Sequence, residues 1–271
     1  MNSIESIFLG ILQGLTEFLP ISSSGHLVVA EHCLNLNVSE LLFFDVLLHF
    51  ATLLAVCFYF RRRLFALAGA GLTFFGGKPF APEAARDRTF ILAILLSNLI
   101  TGGFGLPLEN TLEKMRDQLF LVGTSFIVTG CFLLTTRLWG RNKEAAKDDF
   151  PMNPWIFAAV LGLAQTVAIL PGVSRSGATI CASLLLGSSA AFAVEYSFLL
   201  SVPIIFAATA LEAMKAEMTV ALLPCILGFG AAFLSGMFFL WLLSLIVKTG
   251  KIHRFAYYVI PLGLWVLWMS I

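Results

Sequence analysis

The sequence predicts an all-α polytopic membrane protein built as an inverted-topology repeat, with two broken or re-entrant helix pairs and about six full transmembrane helices. Three observations predict it. The chain is 59% hydrophobic and only 12% charged, where a soluble domain carries about 25% charged residues, so its apolar surface exceeds what a soluble core can hide. A stretch at residues 10–25, GILQGLTEFLPISSSG, recurs without a gap at residues 162–177 as GLAQTVAILPGVSRSG. The third observation is the placement of Lys and Arg, which gathers in loops that one topology sets on one side of a bilayer.

The elements follow in chain order. The N-terminus, MNSIESIFLG, has no basic stretch before its apolar run and no small-residue cleavage pattern, so it is expected to stay in the mature protein. A helix crossing the hydrocarbon needs about 20 mainly apolar residues. Residues 42–60, 89–107, 118–136, 194–214 and 255–271 meet this, and 220–246 is long, with Gly228, Gly230 and Gly236 suited to tilt or close packing. The two repeated stretches differ from these. Each has a short apolar run, a Pro/Gly/Ser break and a second short run, the pattern of a broken helix, and non-helical backbone at membrane depth survives only inside protein or beside a wet cavity.

With both repeats dipping in and returning, loops 61–88, 137–154 and 247–254 share a side. They hold Arg61, Arg62, Arg63, Lys78, Arg86, Arg88, Arg137, Arg141, Lys143, Lys147, Lys248, Lys251 and Arg254, against Lys114, Arg116 and Lys215 opposite. That side is expected to be cytoplasmic. Arg175 is left over, inside the second break. Three spans separate the repeats, so the second enters from the opposite face, and both breaks are expected to meet near the midplane. A single domain follows, with repeat one at about 1–136, a linker at about 137–154 and repeat two at about 155–271. The net charge of +1 gives no field that would attract nucleic acid. Cys33, Cys57, Cys131, Cys181 and Cys225 stand singly in apolar sequence and read as packing residues.

Within the repeat, Gly10/Gly162, Gln13/Gln165, Ser22/Ser174, Ser24/Ser176 and Gly25/Gly177 match, while Glu17 faces Ile169, Ser23 faces Arg175 and His26 faces Ala178. One copy carries an acid and a base, the other a cation. Arg175, with Ser174, Ser176 and the backbone N–H groups of a helix start, suits a phosphate. Gln13 and Glu17 lie four apart on one helix face, where their oxygens suit a hard divalent cation completed by substrate phosphates. Ser22, Ser23 and Ser24 precede His26, a base near enough in sequence to serve Ser23 or Ser24, although the serines also suit capping the second half-helix. Asp45 and Glu195 follow the two repeats at similar distances and read as symmetry mates pairing with the repeat loops; His49 and Glu212 read as secondary, and His32 and His253 as interfacial. Glu5 and Glu31 have no assignment from sequence.

At these residues the chain resembles the undecaprenyl-pyrophosphate phosphatase family, also called bacitracin-resistance proteins. The likeness rests on QGLTEFLPISSSGH, FFDVLLHFATLLAVCFYFRRRL, LPGVSRSGATI and EYSFLLSVPIIFAATALE in that order, and Gln13-Gly-Leu-Thr-Glu17 fills an (E/Q)xxxE motif. The resemblance implies an enzyme of the bacterial inner membrane that removes the terminal phosphate of undecaprenyl pyrophosphate, recycling the lipid carrier for cell-wall synthesis. It implies dependence on Mg2+ or Ca2+ and a site reached from the outer face. Glu17 would hold the metal or polarise water, Ser23 would be nucleophile or phosphate ligand, His26 general base or acid, and Arg175 the phosphate clamp. Ser22, Ser24, Ser174 and Ser176 would add hydrogen bonds, with Gln13 beside the metal. The bilayer and the lipid substrate are the expected partners, and a homodimer is left open.

From residues alone, the alternative is a polyprenyl-phosphate carrier or flippase, since broken helices in inverted repeats are a transporter architecture. Catalysis needs Glu17 and His26 for turnover; carriage needs chiefly Arg175 and a cavity. The other large class of lipid phosphatases fits SSGH and SRSGA only in part, because ATICASLLLG after the second motif lacks a His and Asp at catalytic spacing.

Overall fold

A computed structural model describes residues 1–34, 38–72, 82–115, 118–139, 147–214 and 220–270. Lys78, Arg116, Arg141, Lys143 and Lys215, and the side chains of Lys114 and Glu212, lie outside the described residues.

Each copy of the repeated stretch folds as helix, break, helix. α1 (Ser3–Phe18) is capped by Asn2, whose side chain accepts from the N–H groups of Ile4 and Glu5, while the Glu5 carboxylate accepts from the Asn2 N–H at 2.7 Å. This reciprocal cap gives Glu5 its role. The chain breaks around Pro20 and restarts as α2 (Ser23–Cys33). In the second copy, Asn153 caps α7 (Pro154–Val167), the chain breaks around Pro171 and Gly172, and α8 (Arg175–Leu185) restarts. Pro20 ends the first half of the first copy, because proline disfavours helical backbone at the residue before it, whereas α7 tightens into i→i−3 turns over residues 168–170 before reaching Pro171. At 11 residues each, α2 and α8 reach only about 17 Å.

The remaining helices are α3 (Val38–Tyr59), α4 (Arg61–Leu72), α5 (Pro82–Met115), α6 (Leu119–Trp139), α9 (Ala190–Ala213), α10 (Leu222–Lys248) and α11 (Ala256–Met269), the last preceded by a 3-10 turn at Ile252–Phe255. Four spans long and apolar enough to cross a membrane lie among the described residues, at Ala84–Leu108, Leu119–Leu138, Ala190–Leu211 and Leu222–Lys248. Two expected spans differ. The 42–60 span runs into a bent pair, Phe43–Tyr59 and Arg61–Leu72 meeting at 78°, so the basic run starts a helix where a loop was expected. Three successive guanidinium groups are too costly to carry on into hydrocarbon, and the axis turns there. The 255–271 span is an α-helix of 14 residues, about 21 Å long, which is short of the roughly 30 Å hydrocarbon core.

α1 packs on α10, and α7 packs on α5. The first glycine of each copy makes the crossing possible: a Cβ on Gly10 would stand 2.3 Å from the Gly228 carbonyl oxygen, and one on Gly162 would stand 2.8 Å from that of Ser97. Helices without a water-driven incentive to associate rely on such close backbone contact. The core has a centre of Phe18, Phe126, Ile180, Phe198 and Leu240, and a second cluster of Phe90, Phe157, Phe192 and Tyr196. Leu99, Leu222, Leu234 and Trp268 are largely exposed, an arrangement that suits lipid and not water. Cys181 and Cys225 are buried, whereas Cys33 and Cys131 are exposed rather than packed.

At one end, Arg63 of α4 bonds Asp87 of α5 at 2.6 Å and Glu195 of α9 at 2.7 Å, with its guanidinium over the Phe90 ring. Glu195 therefore pairs with Arg63 and not with a repeat loop. Arg86 bonds Asp149 at 3.0 Å, and Lys147 forms an isolated parallel bridge with Ser188. The end of the linker is thus tied to α5 and to the α8–α9 turn.

Gly10→Val is expected to force α1 off α10 and cost about 1–3 kcal/mol, lowering the melting temperature in detergent. Gly102→Ala, where an added Cβ meets nothing within 4 Å, is expected to leave the melting temperature unchanged or raised.

Candidate active site at the two helix breaks

The two breaks are built alike at their second helices. Ser22 caps α2 by accepting from the Gly25 N–H at 3.4 Å, and Ser174 caps α8 by accepting from the Gly177 N–H at 3.0 Å. Ser22 and Ser24 hydroxyls lie 3.4 Å apart, and those of Ser174 and Ser176 lie 3.3 Å apart. Two serine-capped helix N-termini are built alike at the breaks, each the positive end of a helix dipole that favours an anion.

The breaks also hold each other. The Gly172 N–H donates to the Ser24 hydroxyl at 3.3 Å, joining second break to first. Thr129 of α6 accepts from the Ser174 N–H at 3.0 Å and donates to the Gly172 carbonyl at 3.4 Å. Gly172 has a φ of +89°, and a Cβ there would stand 2.9 Å from the Ser125 side chain, so both backbone and space demand glycine.

Glu17 is the hub. Its side chain is 7% exposed. One carboxylate oxygen pairs with Arg175, the first residue of α8. The other accepts from the Ser23 hydroxyl at 2.5 Å and from the Gln13 amide at 3.1 Å. The acid of one copy and the cation of the other thus meet, a buried carboxylate finding the opposite charge it requires on a partly buried guanidinium. Phe18, next to Glu17, packs on Gly236, near the middle of the 27-residue α10, so the hub sits at mid-length of the apolar helices.

His49 joins this group. Its Nε2 lies 4.0 Å from Glu17 Oε2, while Nδ1 lies 2.9 Å from the Asp45 carbonyl. A carbonyl only accepts, so Nδ1 carries the proton and Nε2 turns to Glu17. Sequence reading set His49 among secondary residues. The signal was its position as an ionisable group in an apolar span; what the sequence does not carry is that α3 passes beside the first break.

His26 is placed elsewhere. Its Nδ1 lies 2.7 Å from the Ser22 carbonyl and its Nε2 2.9 Å from the Tyr258 hydroxyl of α11, with the Phe126 ring edge-on at 5.1 Å. Ser23 donates to Glu17 and not to His26. Ser22 has a φ of +73°, a strained conformation for a residue with a Cβ, costing about 1–3 kcal/mol.

Gln165, the counterpart of Gln13, donates to Asn98 at 3.2 Å and to Thr101 at 3.1 Å. The side-chain oxygens of Gln13 and Gln165 are both buried without a partner; that of Gln13 belongs to a residue one helical turn from Glu17. Among the described residues no cluster of three or more His, Cys, Asp and Glu forms. One carboxylate and one amide oxygen fit a hard cation whose remaining ligands are phosphate oxygens and water.

The fold and the site define a class: an all-helical membrane protein in which two copies of a helix–break–helix unit join a buried acid, a cation and hydroxyls at the breaks. The chain belongs to the family described as bacitracin resistance protein BacA, which it matches over residues 6–265. It is 40% identical over 270 residues to an undecaprenyl-diphosphatase of Treponema denticola, covering 97% of this chain and 96% of that one. It is 40% identical over 279 residues to one of Desulfosudis oleivorans, covering 100% and 99%, and 36% identical over 273 residues to one of Alkaliphilus metalliredigens, covering 97% of both.

Thr129→Val is expected to leave the buried Ser174 N–H unpaired and cost about 1–3 kcal/mol, read as a lower melting temperature in detergent. Thr129→Ser, which keeps the hydroxyl, is expected to recover most of it.

Proposed function

We propose that this protein removes the terminal phosphate of undecaprenyl pyrophosphate, consuming water and giving undecaprenyl phosphate and inorganic phosphate, and so recycles the lipid carrier for cell-wall synthesis. The observation that carries this reading is Glu17 bonded at once to Arg175 and to Ser23, across the two breaks. The names of the relatives agree with it.

On this reading Arg175 exchanges Glu17 for the incoming pyrophosphate, since a guanidinium presents a fork of donors that matches phosphate oxygens. The hydroxyls of Ser22, Ser24, Ser174 and Ser176 and the two helix starts add donors around the phosphates. Glu17 keeps the Ser23 hydroxyl and takes its proton as the oxygen attacks the terminal phosphorus. The bond from that phosphorus to the bridging oxygen breaks, undecaprenyl phosphate leaves, and Glu17 returns the proton to it. A water then attacks the phosphoserine; Glu17 takes the water proton and delivers it to Ser23 as inorganic phosphate departs. His49 remains beside Glu17 when Arg175 has moved to substrate. A divalent cation, Mg2+ or Ca2+, would be held by Glu17 and the Gln13 amide oxygen and would supply neutralisation of phosphate charge.

We place the enzyme in the cytoplasmic membrane with its basic loops on the cytoplasmic side, and its site open to the outer face, as the resemblance to the family implies. A carrier of polyprenyl phosphates would use Arg175 and a cavity but has no use for a carboxylate bonded to a serine hydroxyl.

The test is phosphate release from undecaprenyl pyrophosphate by the purified protein in detergent, with and without EDTA. Glu17→Ala, Ser23→Ala and Arg175→Ala are each expected to lower kcat by about 100-fold or more, and EDTA is expected to stop release. A folded wild type that binds the lipid without releasing phosphate would overturn the reading in favour of carriage. Acid quenching with substrate labelled in the terminal phosphate is expected to leave label on Ser23. Turnover with no labelled protein would instead assign the attack to water, with Ser23 as a phosphate ligand.

A further inference from the structure

The two breaks reach similar caps by different backbone routes. In the second copy the left-handed residue is Gly172, with φ +89°, and the cap Ser174 is relaxed at φ −73°. In the first copy no glycine precedes the cap. The sequence there is Pro20-Ile21-Ser22, and the cap itself, Ser22, takes φ +73° and ψ +103°. Glycine adopts such a conformation freely, whereas a serine needs surroundings that hold it.

What holds it is His26. The Ser22 carbonyl accepts from the His26 Nδ1–H at 2.7 Å and from the His26 backbone N–H at 3.3 Å. At the aligned position of the second copy, where the cap is relaxed, stands Ala178, which supplies the backbone bond to Ser174 at 2.9 Å and no side-chain bond. An imidazole occurs where the cap is strained and is replaced by a methyl group where it is not.

The ring is fixed from its other side. Its Nδ1 must carry the proton that the carbonyl accepts, so in the neutral ring Nε2 is an acceptor, and the Tyr258 hydroxyl lies 2.9 Å from it. The Tyr258 ring stacks on the imidazole at 5.8 Å, and Phe126 stands edge-on to it. Both ring nitrogens are engaged, neither with Ser23, whose hydroxyl is bonded to Glu17.

We propose that His26 and Tyr258 form a positioning clamp that holds the strained Ser22 cap and thereby presents Ser23 to Glu17, acting on the reaction through the backbone and not by proton transfer. The proposal rests on the phosphatase reading for its kinetic test but not for its structural one. Tyr258 fixes the ring, the ring holds the Ser22 carbonyl, and the peptide after Ser22 aims the Ser23 hydroxyl. Loss of either clamp member displaces the hydroxyl without removing any group that touches phosphate.

The experiment measures kcat and KM for Tyr258→Phe, His26→Ala, Ser22→Gly and the His26→Ala/Ser22→Gly double variant. Nitrogen-15 spectra of histidine-labelled wild type and Tyr258→Phe accompany them. His26→Ala is expected to lower kcat by up to about 100-fold, the scale of a small misplacement, with KM little changed, and Tyr258→Phe by less. Ser22→Gly itself removes a hydroxyl placed beside the phosphates and is expected to lower activity; measured against that single variant, where glycine needs no clamp, His26→Ala is expected to cost only a small part of its loss in the wild-type background. An equal loss in both backgrounds would overturn the clamp. The spectra are expected to give His26 protonated at Nδ1, with the Nε2 resonance moving in Tyr258→Phe; an Nε2-protonated ring in the wild type would overturn it independently. If the wild type releases no phosphate, the phosphatase reading fails while the spectra still decide the clamp.

Discussion

A carboxylate and a guanidinium share the middle of a bundle whose walls are almost wholly apolar, and the rest of the structure is arranged around keeping them together. Either charge alone at the centre of a membrane helix costs about 2.5–3.5 kcal/mol on insertion scales, and a charge left in place after its partner is removed costs more. Glu17 ends the first half of one copy and Arg175 begins the second half of the other. Their pairing therefore fixes where both breaks lie. The buried glycines near Glu17 serve that end: Gly10 and Gly14 bring α1 against α10 until an added Cβ would overlap backbone or the Ser235 hydroxyl, and Glu17 is delivered to a set depth.

α6 is the strut between the two breaks. On its way past them, Phe126 lies against Gly25 and His26 of the first, while Thr129, Ser125 and Val122 touch Gly172 or Ser174 of the second. α6 is itself seated on α11 through Gly123, Gly130 and Gly263, and α11 supplies Tyr258. Packing of these two helices is thus coupled to the geometry of the hydroxyls at the site, through contacts no longer than one side chain. A site assembled from chain interruptions needs such bracing, since interruptions give up the regular hydrogen bonds that make a helix stiff.

Much of this was legible in the sequence, for definite physical reasons. Apolar run length and the Pro/Gly/Ser interruptions fixed the helices and both breaks, because burying unpaired backbone in lipid is so costly that few arrangements remain. The self-match at residues 10–25 and 162–177 located Glu17, Ser23 and Arg175, since a polar residue that differs between two otherwise apolar copies has few explanations. Three features were not legible. The bend at Arg61 depends on where the chain meets the interface. His49 and Tyr258 are brought to the breaks from helices far along the chain, and no local spacing encodes that approach. Glu195 found Arg63 because α4 turns back towards α9, which the reading of 61–88 as a loop did not allow.

The repeat offers two equivalent places for a charged hub, and only one is used. At the position of Glu17 the second copy has Ile169, which packs near Gly105, and the Gln165 amide NH2 donates to Asn98 and Thr101 on α5. The mirror contact surface on α10 offers α1 glycine, alanine and Ser235 instead, so Gln13 has no amide partner there and turns to Glu17. Two acidic hubs would need two buried cations, and each further ion removed from water adds a desolvation cost that only close pairing offsets. Splitting one ion pair between the copies avoids this. It also divides the site between the copies, so the acid, the serine it holds and the cation paired with it are assembled only when the two halves are folded against each other.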